Sequence, residues 1–354
     1  MDADHNKIHT ENFSNEALEA EADRLFSSLM NLTCNSSRKW TYEECQKIAP
    51  KTLLINRLKK EHDAVILAHS YVEPEIVHGV ADFKSDSYAL SLAAKDSKAS
   101  MIIFAGVVFM AETAKIVSPK ARVFVPDRGS ACSLADSINA DQVKELKREH
   151  PGCPVVCYIN STAEVKAESD VCVTSTNVYS IIESLDAEKI IFIPDRLMAD
   201  NIIIEMKKRG INKEIVSSDG TCFVHDQFDH NKIDEQRIRY PGLKVVSHPE
   251  CLTDVTKKSD FVGSTGAMMD YVRKTEAPYF MMLTECGLVS RLEVEEKEKN
   301  FIGACRLCEY MKLNSLDKII QVFENPRADQ EVFVEESTRL KAKRAIDKMF
   351  ELSP

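Results

Sequence analysis

The sequence predicts an α/β protein made of three similar small layer domains with parallel sheets. Three observations predict it. From about residue 50 onward, short β-branched runs alternate with helical segments, the text of strands joined by helical crossovers. A stretch of about 90 residues then recurs along the chain, and a cysteine closes each recurrence.

Residues 1–47 precede this pattern as a polar extension. Within it, "NEALEAEADRLFSSLM" (15–30) has helical spacing, and "NLTCNSSRK" breaks it. The first unit, 48–131 with 305–354, opens on "AVILAHSY" followed by "ADFKSDS", and "SMIIFAGVVFMAE" (100–112) continues it. In the second unit, 132–221, "PGCPVVCYINSTAEVKAESDVCVTS" (151–175) supplies a strand, a helix and a second strand. In the third, 222–304, "PGLKVVSHPECLTDVTKKSDFVGST" (241–265) lies over that segment at an offset of 90. Pro-Gly, Val-Val, a later valine and Ser-Asp match in register.

The polar residues follow the same register. Tyr158 and Asn160 correspond to His248 and Glu250, and Ser175 corresponds to Thr265. About 88 residues before the second copy, His69 and Tyr71 take the strand-end places and Ser87 the later hydroxyl place. Ligands of open parallel sheets gather beyond the carboxyl ends of the strands, which is where these residues are expected. Met110 and Glu112 are candidates for lining the same place, although Met110 fits a helix packing position equally well. The charge run "RLEVEEKEKNF" (291–301) reads as a solvated helix face, and "ESTRLKAKRAIDKMFEL" as a closing amphipathic helix.

Composition narrows the function. The chain has 354 residues, 44% hydrophobic and 29% charged, with a formal charge of -10. That charge argues against nucleic acid and anionic membranes as partners. The longest apolar stretch (101–111) is too short for a membrane span, and the polar start lacks the apolar core of a secretory signal. A cytoplasmic protein is expected, so the eleven cysteines belong to a reducing compartment. Most, including Cys45, Cys153, Cys157, Cys172 and Cys251, read as packing or surface thiols. Cys132 and Cys222 are different because they are 90 residues apart, each after the last strand of its unit. The third unit ends near Cys305 and Cys308.

If the three units pack around a pseudo-threefold axis, one cysteine from each meets at the axis. Three thiolates from separate domains suit an iron-sulfur cluster better than structural zinc, which usually closes with four ligands. A cluster held by three cysteines leaves one iron open as a Lewis acid, suited to loss of water. No G-x-G-x-x-G or P-loop competes with this reading. "GSTG" (263–266) reads either as an anion-binding helix start or as a plain cap.

At these residues the sequence resembles the quinolinate synthase family, iron-sulfur enzymes of NAD biosynthesis. The likeness runs from about residue 50 to the C-terminus through "ILAHSY", "ADFKSDS", "GVVFMAETAKI", "ACSLAD", "VVCYINSTAEVKA", "TSTN", "CFVH", "SHPEC", "GSTG" and "CEYMKLNSL". The resemblance implies a triangle of three α/β/α sandwich domains. It implies a transferase and dehydratase-type condensation of iminosuccinate with dihydroxyacetone phosphate to quinolinate, releasing phosphate and water. Its cofactor would be a 4Fe-4S cluster on Cys132, Cys222 and Cys308, with Cys305 a neighbouring cysteine. His69, Ser87, Tyr158, Ile159, Asn160, Ser175, His248, Pro249, Glu250 and Thr265 match substrate-contacting positions. Tyr71 and Glu250 are implied in proton transfer, with His225 and His248 beside them. An L-aspartate oxidase or an aspartate dehydrogenase would supply iminosuccinate.

Three features depart from the family pattern. Ser70 stands where tyrosine or asparagine is usual, Lys84-Ser85 where a glycine usually precedes Asp86, and no tryptophan precedes Cys222. Two rival readings share part of the evidence. A cluster enzyme of the diphthamide-synthesis type would share the architecture without "HPE", "YIN" and "GST" in register. A non-catalytic metal scaffold would need the cysteines without the strand-end acids and hydroxyls.

Overall fold

The structure, a computed structural model, describes residues 13–33, 39–304 and 306–353. Cys305 lies outside the described residues. Two helices come first, α1 (Asn15–Leu29) capped by Ser14 and α2 (Tyr42–Glu61) capped by Thr41. Then one motif is built three times. The first copy is β1 (Ala64–His69), α3 (Pro74–Gly79), β2 (Phe83–Ser85), α4 (Ser87–Asp96), β3 (Met101–Ala105), α5 (Val108–Val117) and β4 (Arg122–Phe124). The second is α6 (Ala140–Glu149), β5 (Val155–Tyr158), α7 (Ala163–Ala167), β6 (Val171–Val173), α8 (Val178–Ser184), β7 (Lys189–Ile193), α9 (Arg196–Lys208) and β8 (Glu214–Ser217). The third is α10 (His230–Arg239), β9 (Lys244–Ser247), α11 (Thr253–Lys258), β10 (Phe261–Val262), α12 (Thr265–Lys274), β11 (Phe280–Leu283), α13 (Cys286–Glu295) and β12 (Phe301–Ile302). Helices α14 (Glu309–Lys312), α15 (Leu316–Glu324) and α16 (Glu336–Leu352) close the chain.

Each copy forms a parallel four-stranded sheet of the same order: β2-β1-β3-β4, β6-β5-β7-β8 and β10-β9-β11-β12. Register repeats with the sequence. Val156 aligns with Val171 and Phe192, and 90 residues later Val246 aligns with Phe261 and Met282. The central strands β3, β5 and β11 are buried at every position, as expected where helices cover both faces.

The repeated sequence signals have local causes. Gly152 and Gly242, the glycines of the matched Pro-Gly pairs, have φ of 80° and 81°, a left-handed turn that glycine adopts without strain. Asp63 (φ 47°) makes the corresponding turn before β1, and its carboxylate accepts from the Ser100 amide at 2.9 Å. The recurring aspartates Asp82, Asp170 and Asp260 each accept from the backbone N–H of Ile66, Val155 and Val245, at 2.8, 2.8 and 2.9 Å. Each thereby pins the entry of its second strand to its first.

The core is continuous through the first two sheets and one face of the third. Val246, Phe280 and Met282 join it, whereas their neighbours Val245, Met281 and Leu283 face the other way into a separate cluster with Phe228, Ile233 and Val255. Helix α1 of the extension is packed on the first unit: Ala22, Leu25 and Leu29 are buried, and Arg24 donates to the carbonyls of His78 and Gly79 at the end of α3. α15 packs on α2, whereas α16, attached to the first unit in the sequence reading, lies on α7 and β6 of the second as well as on α5. The charge run also differs from expectation, since α13 ends at Glu295 and the Arg291 side chain is only 14% exposed. No helix among the described residues is long and apolar enough to cross a membrane.

Candidate active site

In an order such as β2-β1-β3-β4, the connections leave the first and third strands toward opposite faces, which opens a crevice at their carboxyl ends. The three crevices face one shared cavity. The first-strand ends enter it as His69-Ser70-Tyr71, Tyr158-Ile159-Asn160 and His248-Pro249-Glu250. Two of these turns are fixed alike. His69 Nδ1 accepts from the Tyr71 amide at 3.2 Å, and His248 Nδ1 accepts from the Glu250 amide at 3.4 Å. Ser87 and Thr265 are the first residues of α4 and α12, and Ser175 shortly precedes α8. Among the described residues lining the cavity none is lysine or arginine. Asn160 Oδ1 and Ser133 Oγ are buried there without a hydrogen-bond partner among the described residues. Buried polar atoms in that state favour a polar ligand.

A continuous chain of contacts runs across the cavity wall. The Tyr71 hydroxyl is 2.9 Å from Thr284 Oγ1 and 3.1 Å from Thr265 Oγ1, and Thr284 Oγ1 is 3.2 Å from His225 Nε2. His225 Nδ1 lies 2.8 Å from Glu250 Oε2, and the Tyr158 hydroxyl donates to Glu250 Oε1. The His225 and His248 rings stack at 4.7 Å. Burial pushes the Glu250 carboxyl up, but the neighbouring imidazoles of His225 and His248 and the bonds from His225 and Tyr158 outweigh it and hold the group below its ordinary value. Burial raises the Tyr71 and Tyr158 phenols, and Glu250 adds to the rise in Tyr158. Burial also lowers His69 and His248 to about 3, so both rings are neutral. A carboxylate and a phenol thus stand at separated points of one hydrogen-bonded line.

The cysteines follow the same threefold logic. Cys132, Cys222 and Cys308 each open a short helical turn, Ala135–Ser137, His225–Gln227 and α14, and all three line the cavity. Each thiol faces two backbone N–H groups: Leu134 and Ala135, Val224 and His225, Tyr310 and Met311. Burial pushes Cys132 up to about 12 and Cys308 up to about 11, and Cys222 is raised as well. Buried thiols with N–H donors aimed at sulfur fit an iron-sulfur cluster, whose own charge would offset the cost of their ionisation. A second donor set overlaps this one, because ligand atoms of Cys222, His225 and Glu250 lie within 4.8 Å of one another.

The cavity therefore gathers His69, Tyr71, Ser87, Cys132, Tyr158, Ile159, Asn160, Ser175, Cys222, His225, His248, Glu250, Thr265 and Cys308. Pro249 is not among its lining residues; its carbonyl instead accepts from Asn201 Nδ2 at 2.8 Å. Met110 lines the cavity, whereas Glu112 is turned to the Ala163 amide at 2.9 Å. Sequence reasoning missed Thr284, Glu285 and Lys312. Glu285 is fully buried and accepts from the Cys308 amide at 3.2 Å, while Lys312, 3.4 Å from Glu285, donates to the Tyr71 carbonyl at 2.8 Å. Their signal lies in the repeat: Glu285 is 90 positions after Asp195, and both cap the helix that follows the third strand of their sheets.

Comparison with known proteins agrees with this geometry. A profile of the quinolinate synthetase A protein family matches residues 54–351. The chain is 40% identical over 326 residues to "Quinolinate synthase 2" of Mesorhizobium japonicum, covering 90% of this chain and 98% of that protein. It is 40% identical over 310 residues to "Quinolinate synthase" of Caulobacter vibrioides, covering 86% and 83%. To "Quinolinate synthase" of Xylella fastidiosa it is 43% identical over 295 residues, covering 83% and 85%.

Proposed function

Because this chain belongs to the quinolinate synthetase A protein family, we propose that it condenses iminosuccinate with dihydroxyacetone phosphate to quinolinate in de novo NAD biosynthesis, releasing phosphate and water. One observation carries the reading: three thiols from three sheet ends open onto the same cavity as the Tyr71 to Glu250 chain. Cys132, Cys222 and Cys308 would hold a 4Fe-4S cluster. Bound there, a cluster with an open iron supplies Lewis acidity toward a carboxylate or hydroxyl.

The chain's own residues do the rest. Ser87, Ser175, Thr265 and Asn160 hold the carboxylates and the phosphate through hydroxyl, amide and helix N-terminal dipoles, with no lysine or arginine required. Glu250, kept ionised, takes protons from the carbon and nitrogen acids that condensation and sugar isomerisation require. Tyr71, kept protonated, gives a proton to a departing hydroxyl. Thr284 and His225 join the two, so a proton gained at Glu250 returns to Tyr71 before the next step. Burial of both ends keeps bulk water from short-circuiting the transfer. An L-aspartate oxidase or an aspartate dehydrogenase is the reaction partner that supplies the unstable imine.

Anaerobic reconstitution with iron and sulfide, followed by an assay of quinolinate from the two substrates, tests the proposal. Product formation is expected, together with loss of bound iron in Cys132→Ala, Cys222→Ala and Cys308→Ala. A fully loaded cluster that makes no quinolinate would refute the activity. The Cys222, His225 and Glu250 set supports a second reading as a single-ion site; stoichiometric zinc without iron would favour it.

A further inference from the structure

Arg291 belongs to a charge run that reads as a solvated face, yet the structure turns it inward across the boundary between the third sheet's helix α13 and the first sheet. Its Nη1 donates to Ser70 Oγ at 3.0 Å and reaches the Lys84 carbonyl at 3.4 Å. Its Nε donates to Glu295 Oε1 at 2.8 Å, and Glu295 also receives Arg273 at 2.6 Å, with Lys84 Nζ at 3.9 Å. Ser70 is 1% exposed, and its amide and hydroxyl both donate to the Ser85 carbonyl, at 3.1 and 3.3 Å. Ser70 and the Lys84 carbonyl therefore meet at one guanidinium, and Ser85 is tied to it through Ser70. A serine there is short enough to leave that guanidinium its place.

Ser70 lies between His69 and Tyr71, so whatever fixes Ser70 fixes the turn that carries the Tyr71 phenol. The rest of α13 presses on the same turn. A Cβ on Gly287 would come within 2.6 Å of the Ser70 carbonyl oxygen and of Tyr71 Cα, so the helix and the turn are in direct backbone contact. Lys312 holds the Tyr71 carbonyl from the other side at 2.8 Å.

We propose that Arg291 is a positioning residue that latches the His69-Ser70-Tyr71 turn to α13, holding the Tyr71 hydroxyl against Thr284 and Thr265. This deepens the reading of Tyr71 as a proton-transfer group and rests on it. A planar, forked cation suits the task because it engages a hydroxyl, a carbonyl and a carboxylate at once.

The test uses the reconstituted protein and four variants: Arg291→Met, Arg291→Lys, Ser70→Ala and the Arg291→Met/Ser70→Ala double. Arg291→Met and Ser70→Ala should each lower kcat about tenfold, since a misplaced catalytic group costs rate more than binding, with KM and iron content as in wild type. The double variant should be no slower than the slower single one, because both remove one contact. Arg291→Lys should recover part of the rate. Backbone hydrogen exchange supplies a readout independent of turnover: in Arg291→Met the amides of residues 70–72 should exchange faster while those of α16 do not change. Wild-type kcat in Arg291→Met, a rate loss that tracks loss of iron, or unchanged exchange at 70–72 would each overturn the proposal. If wild type makes no quinolinate but exchange at 70–72 responds, the latch stands and the reading of the activity falls.

Discussion

Glu250→Gln keeps the size of the side chain but removes the charge that pairs with His225 at 2.8 Å. General acid-base groups contribute about 100- to 10,000-fold, so kcat should fall at least about 100-fold while iron content holds. Retention of more than about a tenth of the wild-type rate would sink the role given to this carboxylate. Glu250 and Tyr71 were visible in the sequence because they stand at repeated strand ends, where a period of 90 made ordinary turn residues conspicuous. Thr284 was invisible for a physical reason. Its importance lies in bridging Tyr71 and His225, residues 213 and 59 positions away, and no local pattern carries that information. Pro249 was the opposite case, named by its place in a motif although its carbonyl serves Asn201.

Elements were easier to read than contacts between them. The aspartate recurs in the sequence as a spacing, and the structure gives it a cause: Asp170 satisfies the Val155 amide at the start of β5. Asp170→Ala leaves that amide unpaired beside a buried valine, which costs about 1–3 kcal/mol. Thermal or urea unfolding should show the loss, with kcat per folded molecule unchanged; an unaltered midpoint would mean that water replaces the carboxylate. Helix spacing likewise revealed α1 and α16, but amphipathicity says which face is buried and not against what. Only its packing on α7 and β6 makes α16 a cover for the second sheet. The 291–301 run failed for the same reason, because charge alone does not distinguish water from an oppositely charged partner across a boundary.

At the scale of the molecule, the buried rings of His69 and His248 and the half-buried ring of His78 shape the response to acid. Burial, together with nearby cations, lowers His69 to about 3, His78 to about 4 and His248 to about 3, from an ordinary value of 6.5. The folded chain keeps these rings neutral while the unfolded chain protonates them below pH 6.5. Stability is therefore full above 6.5 and falls as pH drops toward the folded values, by about 1.4 kcal/mol per pH unit for each ring. Glu250 acts in the same direction only below its ordinary value of 4.5, where its depressed pKa lets the stabilisation fade as acid is added. A melting temperature that is level above pH 6.5 and declines from there to pH 5 is expected, and a flat profile over that range would contradict the lowered values of these rings.

The threefold plan was legible because a duplicated sequence keeps its turn glycines and strand-entry aspartates. How the three copies lean together was not, since that depends on faces such as the one that splits Val246 from Val245. The separation of the cysteines has a kinetic meaning. Cys132, Cys222 and Cys308 stand 90 and 86 positions apart, so no nascent or truncated piece with one or two copies contains the full set of sulfurs. Closing loops of that size comes late in folding. If these thiols hold the proposed cluster, a cofactor delivered early would find an incomplete set of thiols, and iron retained by the finished protein would gauge whether all three copies have docked.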